Sequence, residues 1–136
     1  MGPNAEVEGR RWFEQAADDL ETARRLREIG IHYASCFFAQ QAAEKALKSV
    51  LFSAGAEQVR GHSVVELGNE AAKVCAPLAD IVVEAGPLDA YYIPTRYPNG
   101  LAGGTASKAF QSDDSDRAVR LATRVVEAVR AHLARR

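Results

Sequence analysis

One stretch limits what this chain can become: Tyr33–Ser53, YASCFFAQQAAEKALKSVLFS, a long run without Gly or Pro that also keeps a helical period. At about 100° per residue, Cys36, Ala39, Ala42, Ala43, Ala46, Leu47 and Val50 share one half of the cylinder. Gln40, Gln41, Glu44, Lys45, Lys48 and Ser49 share the other. So many alanines on an apolar half let neighbouring helices approach closely. Phe37 and Phe38 break the division by pointing into the polar half at its N-terminal end. There the helix is apolar nearly all round, and another part of the chain or a second copy is expected to cover it.

The rest of the chain reads as company for that helix. With 136 residues, 47% hydrophobic and 26% charged, it is long enough for one domain with a real core. A net charge of -1 gives no global pull toward nucleic acid or membrane, so any basic patch must be local. The opening MGPNAEVEGRRW has no apolar h-region, and no apolar run approaches about 18 residues. A cytoplasmic protein is expected, with Cys36 and Cys75 as buried reduced thiols inside helical patterns.

Residues 1–8 read as a loose tail, leaving a core of about residues 10–133. A first helix is expected from about Arg10 to Glu28, with Phe13, Ala16, Ala17, Leu20, Ala23 and Leu26 as its stripe and Gly30 as its stop. Trp12 is expected to cap one end of the core. The short turn after Gly30 makes the first two helices an antiparallel pair. Ser63 and Glu66 form a capping box for a third helix carrying Val64, Leu67, Ala71 and Val74. Pro77 opens a fourth, which Gly86-Pro87 breaks. Residues 93–112 hold two prolines, three glycines and no apolar period, a length of loop that is usually functional or disordered. A last helix follows, with Asp113 or Asp114 as N-cap, a stripe from Ala118 to Leu133, and Arg117, Arg120, Arg124 and Arg130 outside. No segment alternates with period two, so the expected fold is all-α, an up-and-down bundle of about five helices.

Four groups could carry chemistry. Gln41, Glu44, Lys45 and Lys48 are either a solvated helix face or a face for phosphate or a partner, with the lysines as point charges. Arg60-Gly61-His62-Ser63 opens the third helix and is either an anion site or a cap with a tethering histidine. Tyr91, Tyr92, Arg96 and Tyr97 can stack on a base and hold a phosphate, or can pin the long loop to the bundle. The arginine stripe of the last helix is a soluble surface or an RNA guide. No phosphate-binding GxxxxGK[ST] loop is present, and His32, His62 and His132 lack metal spacing with the cysteines. No cofactor and no metal are expected.

Three motifs in order, QQAAEKALKSVL, HSVVEL and YYIPTRYPNG, preceded by WFEQAADDLETARRL, resemble the HEPN domain (higher eukaryotes and prokaryotes nucleotide-binding) over about residues 10–133. The resemblance implies a helical bundle that forms a homodimer. It also implies small proteins often encoded beside a minimal nucleotidyltransferase, as nucleotide binders or members of toxin–antitoxin pairs. Carried over residue by residue, the ligand-binding set is Gln41, Glu44, Lys45, Lys48, His62, Tyr92, Arg96 and Tyr97. Catalytic members of the family are metal-independent ribonucleases with an Arg-x(4–6)-His motif in the later part of the bundle. Here Arg96 is followed at those offsets by Leu101, Ala102 and Gly103, while Arg27 and His32 have the spacing at the end of the first helix. The expectation is therefore a non-catalytic binding module. The alternative is a variant ribonuclease with His62 as general acid or base and Arg60 or Arg96 holding the phosphate.

Overall fold

A computed structural model describes residues 3–135 of the chain. Six α-helices are present and, among the described residues, no strand. They are α1 (Pro3–Glu28), α2 (His32–Ser53), α3 (Val64–Ala72), α4 (Leu78–Ala85), α5 (Ala106–Ala109) and α6 (Ser112–Ala134). Two 3-10 turns, Gly86–Tyr91 and Pro98–Gly100, interrupt the stretch between α4 and α5.

The all-α expectation holds, and cross-chain contacts give the order of the helices. Trp12 stacks on Phe52 at 5.2 Å, Lys45 meets Asp19, and the Ser35 hydroxyl donates to the Ala23 carbonyl. Partners on α2 thus descend as those on α1 ascend, so the pair is antiparallel. His32 meets Ser115 near one end of α6, and Ser53 shares a cavity with Arg130 at the other. Helix α6 therefore runs parallel to α2, as second and fourth members of an up-and-down bundle do, with α3 and α4 as a broken third. Gly30, at φ +80°, ends α1 in the left-handed conformation that glycine adopts without steric cost.

Helix α2 is the axis of the core. Its predicted apolar residues, Cys36, Ala39, Ala42, Ala43, Ala46, Leu47 and Val50, are fully buried among Ala16, Leu20, Ala23, Val64, Leu78 and the inner face of α6. The other half departs from a solvated face. Gln40, Glu44, Lys48, Ser49 and Ser53 are buried as well. The helix is enclosed all round, and most of its polar side chains are satisfied by one another and by neighbours.

Three other local readings are corrected. Helix α1 begins at Pro3, so residues 3–8 of the expected tail are helical; residues 1 and 2 lie outside the described residues. Glu8 explains part of this, since it accepts from Trp12 Nε1 and pairs with Arg11, both at 3.1 Å. The N-cap of α6 is Gln111, not Asp113 or Asp114; Asp114 reaches back to accept from the Gln111 N–H at 2.8 Å. The long segment after Tyr92 is built from turns: Arg96 and Tyr97 N–H groups both donate to the Ile93 carbonyl, and the buried Thr95 hydroxyl caps the Tyr91 carbonyl. Phe37 and Phe38 are half-buried by the chain itself, Phe38 against the core and Phe37 beneath Arg96.

Candidate functional site

Glu44 is the centre of the polar half of α2. It is 3% exposed, yet it is a carboxylate, so its oxygens need donors. Lys48 supplies one from the next turn, with Nζ 3.1 Å from Oε2. Gln40 and Gln41 each donate to Oε1 at 3.3 Å. The fourth contact comes from outside the helix: His62 Nδ1 lies 3.2 Å and 3.3 Å from the two oxygens. Gln40 also donates to the His62 carbonyl at 2.9 Å, so the loop before α3 is fastened by both backbone and ring.

His62 carries the network to the surface. Its ring stacks on Tyr92 with centroids 4.4 Å apart and planes at 17°. Tyr92 in turn lies 4.4 Å from the Arg96 guanidinium carbon, and Phe37 and Tyr97 approach that carbon at 4.9 Å and 5.1 Å. Arg96 Nε donates to the Tyr92 carbonyl at 2.9 Å, one turn back. The guanidinium is thus held by three rings and a carbonyl, and no carboxylate pairs with it among the described residues. Its terminal nitrogens point their donors at no protein acceptor among those residues, and the imidazole Nε2 of His62 is likewise the nitrogen not engaged by Glu44. The arrangement offers fixed cationic donors beside flat aromatic faces, a combination that suits a phosphate with an attached ring.

Of the residues expected from the sequence, Gln41, Glu44, Lys48, His62, Tyr92, Arg96 and Tyr97 form one connected strip. Lys45 does not join it. Its ammonium turns to the buried Asp19 of α1 at 2.7 Å, and Asp19 also accepts from Gln15. Lys48 is 6% exposed and sits between Glu44 and the Trp12 ring, 5.6 Å from its centroid. Neither lysine is a bare surface charge.

The anion site expected at the start of α3 is already filled. Asp89, from the first 3-10 turn, accepts from the Val64 and Val65 N–H groups and from the Ser63 hydroxyl at 2.7 Å. Ser63 caps the helix as expected, accepting from the Glu66 N–H at 3.1 Å. Glu66 makes no reciprocal bond to the Ser63 N–H among the described residues; the first-turn N–H groups of Val64 and Val65 are satisfied by Asp89 instead. Asp89 had no sequence signal, being separated from α3 by an entire helix. Its role is to clamp His62 and the Tyr91-Tyr92 turn to the same end of α3.

Other expected groups lie elsewhere. His32 Nδ1 meets the buried Ser115 hydroxyl at 2.8 Å, and Arg27 reaches Asp116 at 3.9 Å, so both tie the α1–α2 turn to α6. Arg60 bonds Gln58. In the arginine stripe, Arg124 pairs with Glu84 at 2.6 Å and Arg130 with Glu127 at 3.4 Å, while Arg117 and Arg120 are exposed. Cys36 and Cys75 are free and buried. Burial, with Asp114 nearby, pushes the Cys36 thiol up to about 12, which makes it inert rather than nucleophilic. Among the described residues no three His, Cys, Asp or Glu side chains converge as metal ligands. No described helix is long and apolar enough to cross a membrane.

The family model for the HEPN domain matches residues 10–132, nearly the whole chain. The chain belongs to the HEPN family. Solved structures agree. A Thermus thermophilus protein, TT1696, is 35% identical, with a TM-score of 0.83 over 90% of this chain and 96% of its own. An archaeal HEPN homologue, ST0689, is also 35% identical, with a TM-score of 0.75 over 92% and 97%. A HEPN domain protein from Thermotoga maritima, tm0613, is 26% identical, with a TM-score of 0.71 over 93% and 99%. No curated protein sequence matches the chain. The three motifs that resembled HEPN in the sequence are the three segments that meet around Glu44 and His62: the second helix, the loop opening the third, and the Tyr–Arg turn.

Proposed function

We propose that this HEPN protein is a binding module whose ligand is a nucleotide, held at the strip from His62 to Tyr97. The observation that carries the reading is Arg96: a guanidinium fixed among Phe37, Tyr92 and Tyr97 with no carboxylate partner among the described residues. A surface arginine costs side-chain entropy to immobilise, about 2 kcal/mol at most. Here packing has met that cost before a ligand arrives. The phosphate is assigned to Arg96 and the His62 Nε2 side of the strip, and the base to an exposed tyrosine face, Tyr97 being half exposed. Glu44, Lys48 and Gln41 act beneath as the support that fixes His62.

Calorimetric titration with ATP, GTP, ADP and GDP tests it. Saturable binding is expected, weakened at least tenfold by Arg96→Gln, since a charge-assisted contact is worth about 1.5–3 kcal/mol. Arg96→Lys should fall nearly as far, because an ammonium lacks the planar fork. No heat at millimolar nucleotide, for the protein alone and with its partner, removes the reading.

Assembly as a homodimer and pairing with a minimal nucleotidyltransferase in a toxin–antitoxin-type system belong to the same reading. Half-exposed Phe37 beside exposed Tyr97 motivates a seam at this end of α2. Light scattering of Phe37→Glu should report a monomer; an unchanged dimer counts against that seam.

A second reading, a variant metal-independent ribonuclease, is favoured by one contact. Glu44 lies against His62 Nδ1 as an orienting carboxylate lies against a catalytic imidazole, leaving Nε2 for proton transfer. Purified protein should then cleave RNA in EDTA, and His62→Ala should abolish cleavage. Equal background in both would remove it.

A further inference from the structure

The cavity shared by Ser53 and Arg130 lies at the opposite end of α2 from Arg96. It measures about 300 Å³ and is bounded by the first turns of α1, the last turn of α2 and the last turns of α6. Glu44 and Ser53 are nine residues apart on α2, so the cavity is about 14 Å along the axis from the His62 network. Phe13 and Leu133 give it an apolar wall. Ser53 lies at its floor: the residue is 4% exposed, lines the cavity and makes no side-chain hydrogen bond within the described residues. The hydroxyl is not sealed off from solvent, so a group entering the cavity can reach it. Gly9 is what seats Ser53 there, because a Cβ at residue 9 would stand 1.8 Å from the Ser53 hydroxyl.

Two arginines edge the opening. Arg10 has no ion-pair partner among the described residues. Arg130 lies over the Phe13 ring at 5.0 Å and pairs with Glu127 through Nε at 3.4 Å. Against them the lining has, among the described residues, a single carboxylate, Glu6. The side-chain polar groups other than Glu6 can all donate, and the wall between them is apolar. The volume lies at the lower bound of small-molecule sites, about 300–1,000 Å³.

We infer that this cavity is a binding site for a small amphiphilic monocarboxylate. Its apolar body lies on Phe13 and Leu133. Its carboxylate takes donors from Arg10 and Arg130, and Ser53 donates to a ligand acceptor at the floor. The site is independent of the nucleotide strip.

Octanoate is the probe, with 1-octanol as its uncharged counterpart, each titrated into the full-length protein and followed by amide chemical shifts. Octanoate should shift Gly9, Phe13, Ser53 and Leu133 saturably and leave His62 and Tyr92 unmoved. The Arg10→Gln/Arg130→Gln variant, altered only at exposed positions, should bind octanoate about tenfold more weakly. No saturable shift at millimolar octanoate overturns the inference. So do shifts outside this cavity, equal affinity for 1-octanol, or an unaltered affinity in the double-arginine variant.

Discussion

Glu44 shows how much a single residue can be asked to do. It accepts from Gln40, Gln41 and Lys48 and meets His62, while almost out of reach of water. Removing it leaves the Lys48 ammonium buried without a counter-charge. Breaking such a pair costs about 3–5 kcal/mol, so Glu44→Ala should lower unfolding free energy in urea by that order. The loss should exceed that of Lys45→Ala, whose partner Asp19 keeps a hydrogen bond from Gln15. Cys36 supplies a pH test. Its folded-state thiol ionises near 12 against an ordinary value of 9.0, so folding favours the protonated form. That contribution is intact below about pH 9 and is lost as pH rises toward 12. Alkaline denaturation curves of Cys36→Ala should therefore fall less steeply across this window than those of wild type. Tyr91, raised chiefly by burial and then by Cys36 and Asp114, adds a slope of the same sign that the substitution leaves largely in place.

At the scale of elements, close approach decides the packing of α3 on α4. A Cβ on Gly68 would lie 2.2 Å from Val82 Cγ2 and 2.5 Å from Cγ1, and Val82 is itself in the core. Gly68→Ala should destabilise by about 1–3 kcal/mol in spite of its better helix propensity, read as a shift in urea midpoint at constant slope. Asp89→Ala should cost roughly 1–2 kcal/mol as a lost cap. It should also weaken ligand binding at His62, since the same carboxylate fastens Ser63 to the Tyr92 turn. These elements also show what the sequence could and could not reveal. The stripes of α2 and α6, the stop at Gly30 and the cap at Ser63 were readable because each signal lies within a few residues of its effect. Asp89 was not, because its partners are a helix away. Nor was the enclosure of the polar half of α2: periodicity sorts residues into sides but does not say what stands opposite. Asp19, Trp12 and His62 stand there, supplied by α1 and the loop before α3. The segments that meet around Glu44 and His62 were visible through family motifs. That Lys45 leaves the strip for Asp19 was not.

For the whole molecule, the distribution of burial sets the distribution of stability. Helix α2 is buried from Ser35 to Ser53 with few breaks, whereas α5 and the Pro98–Gly100 turn contain no buried residue. Amides in the middle of α2 should exchange only on global unfolding, and those of residues 98–109 should exchange through local opening. Native-state hydrogen exchange that found α2 as labile as this turn region would contradict the architecture. The enclosure of α2 has a consequence for genetics as well. On the proposed reading, the rod that organises the interior also supplies the underside of the recognition strip. Variants at Gln40, Glu44 or Lys48 will lose abundance and affinity together, and a survey of mutants will find the two phenotypes inseparable there. At Arg96 and Tyr97, exposed positions clear of the interior, the proposed recognition is expected to change while the protein accumulates normally.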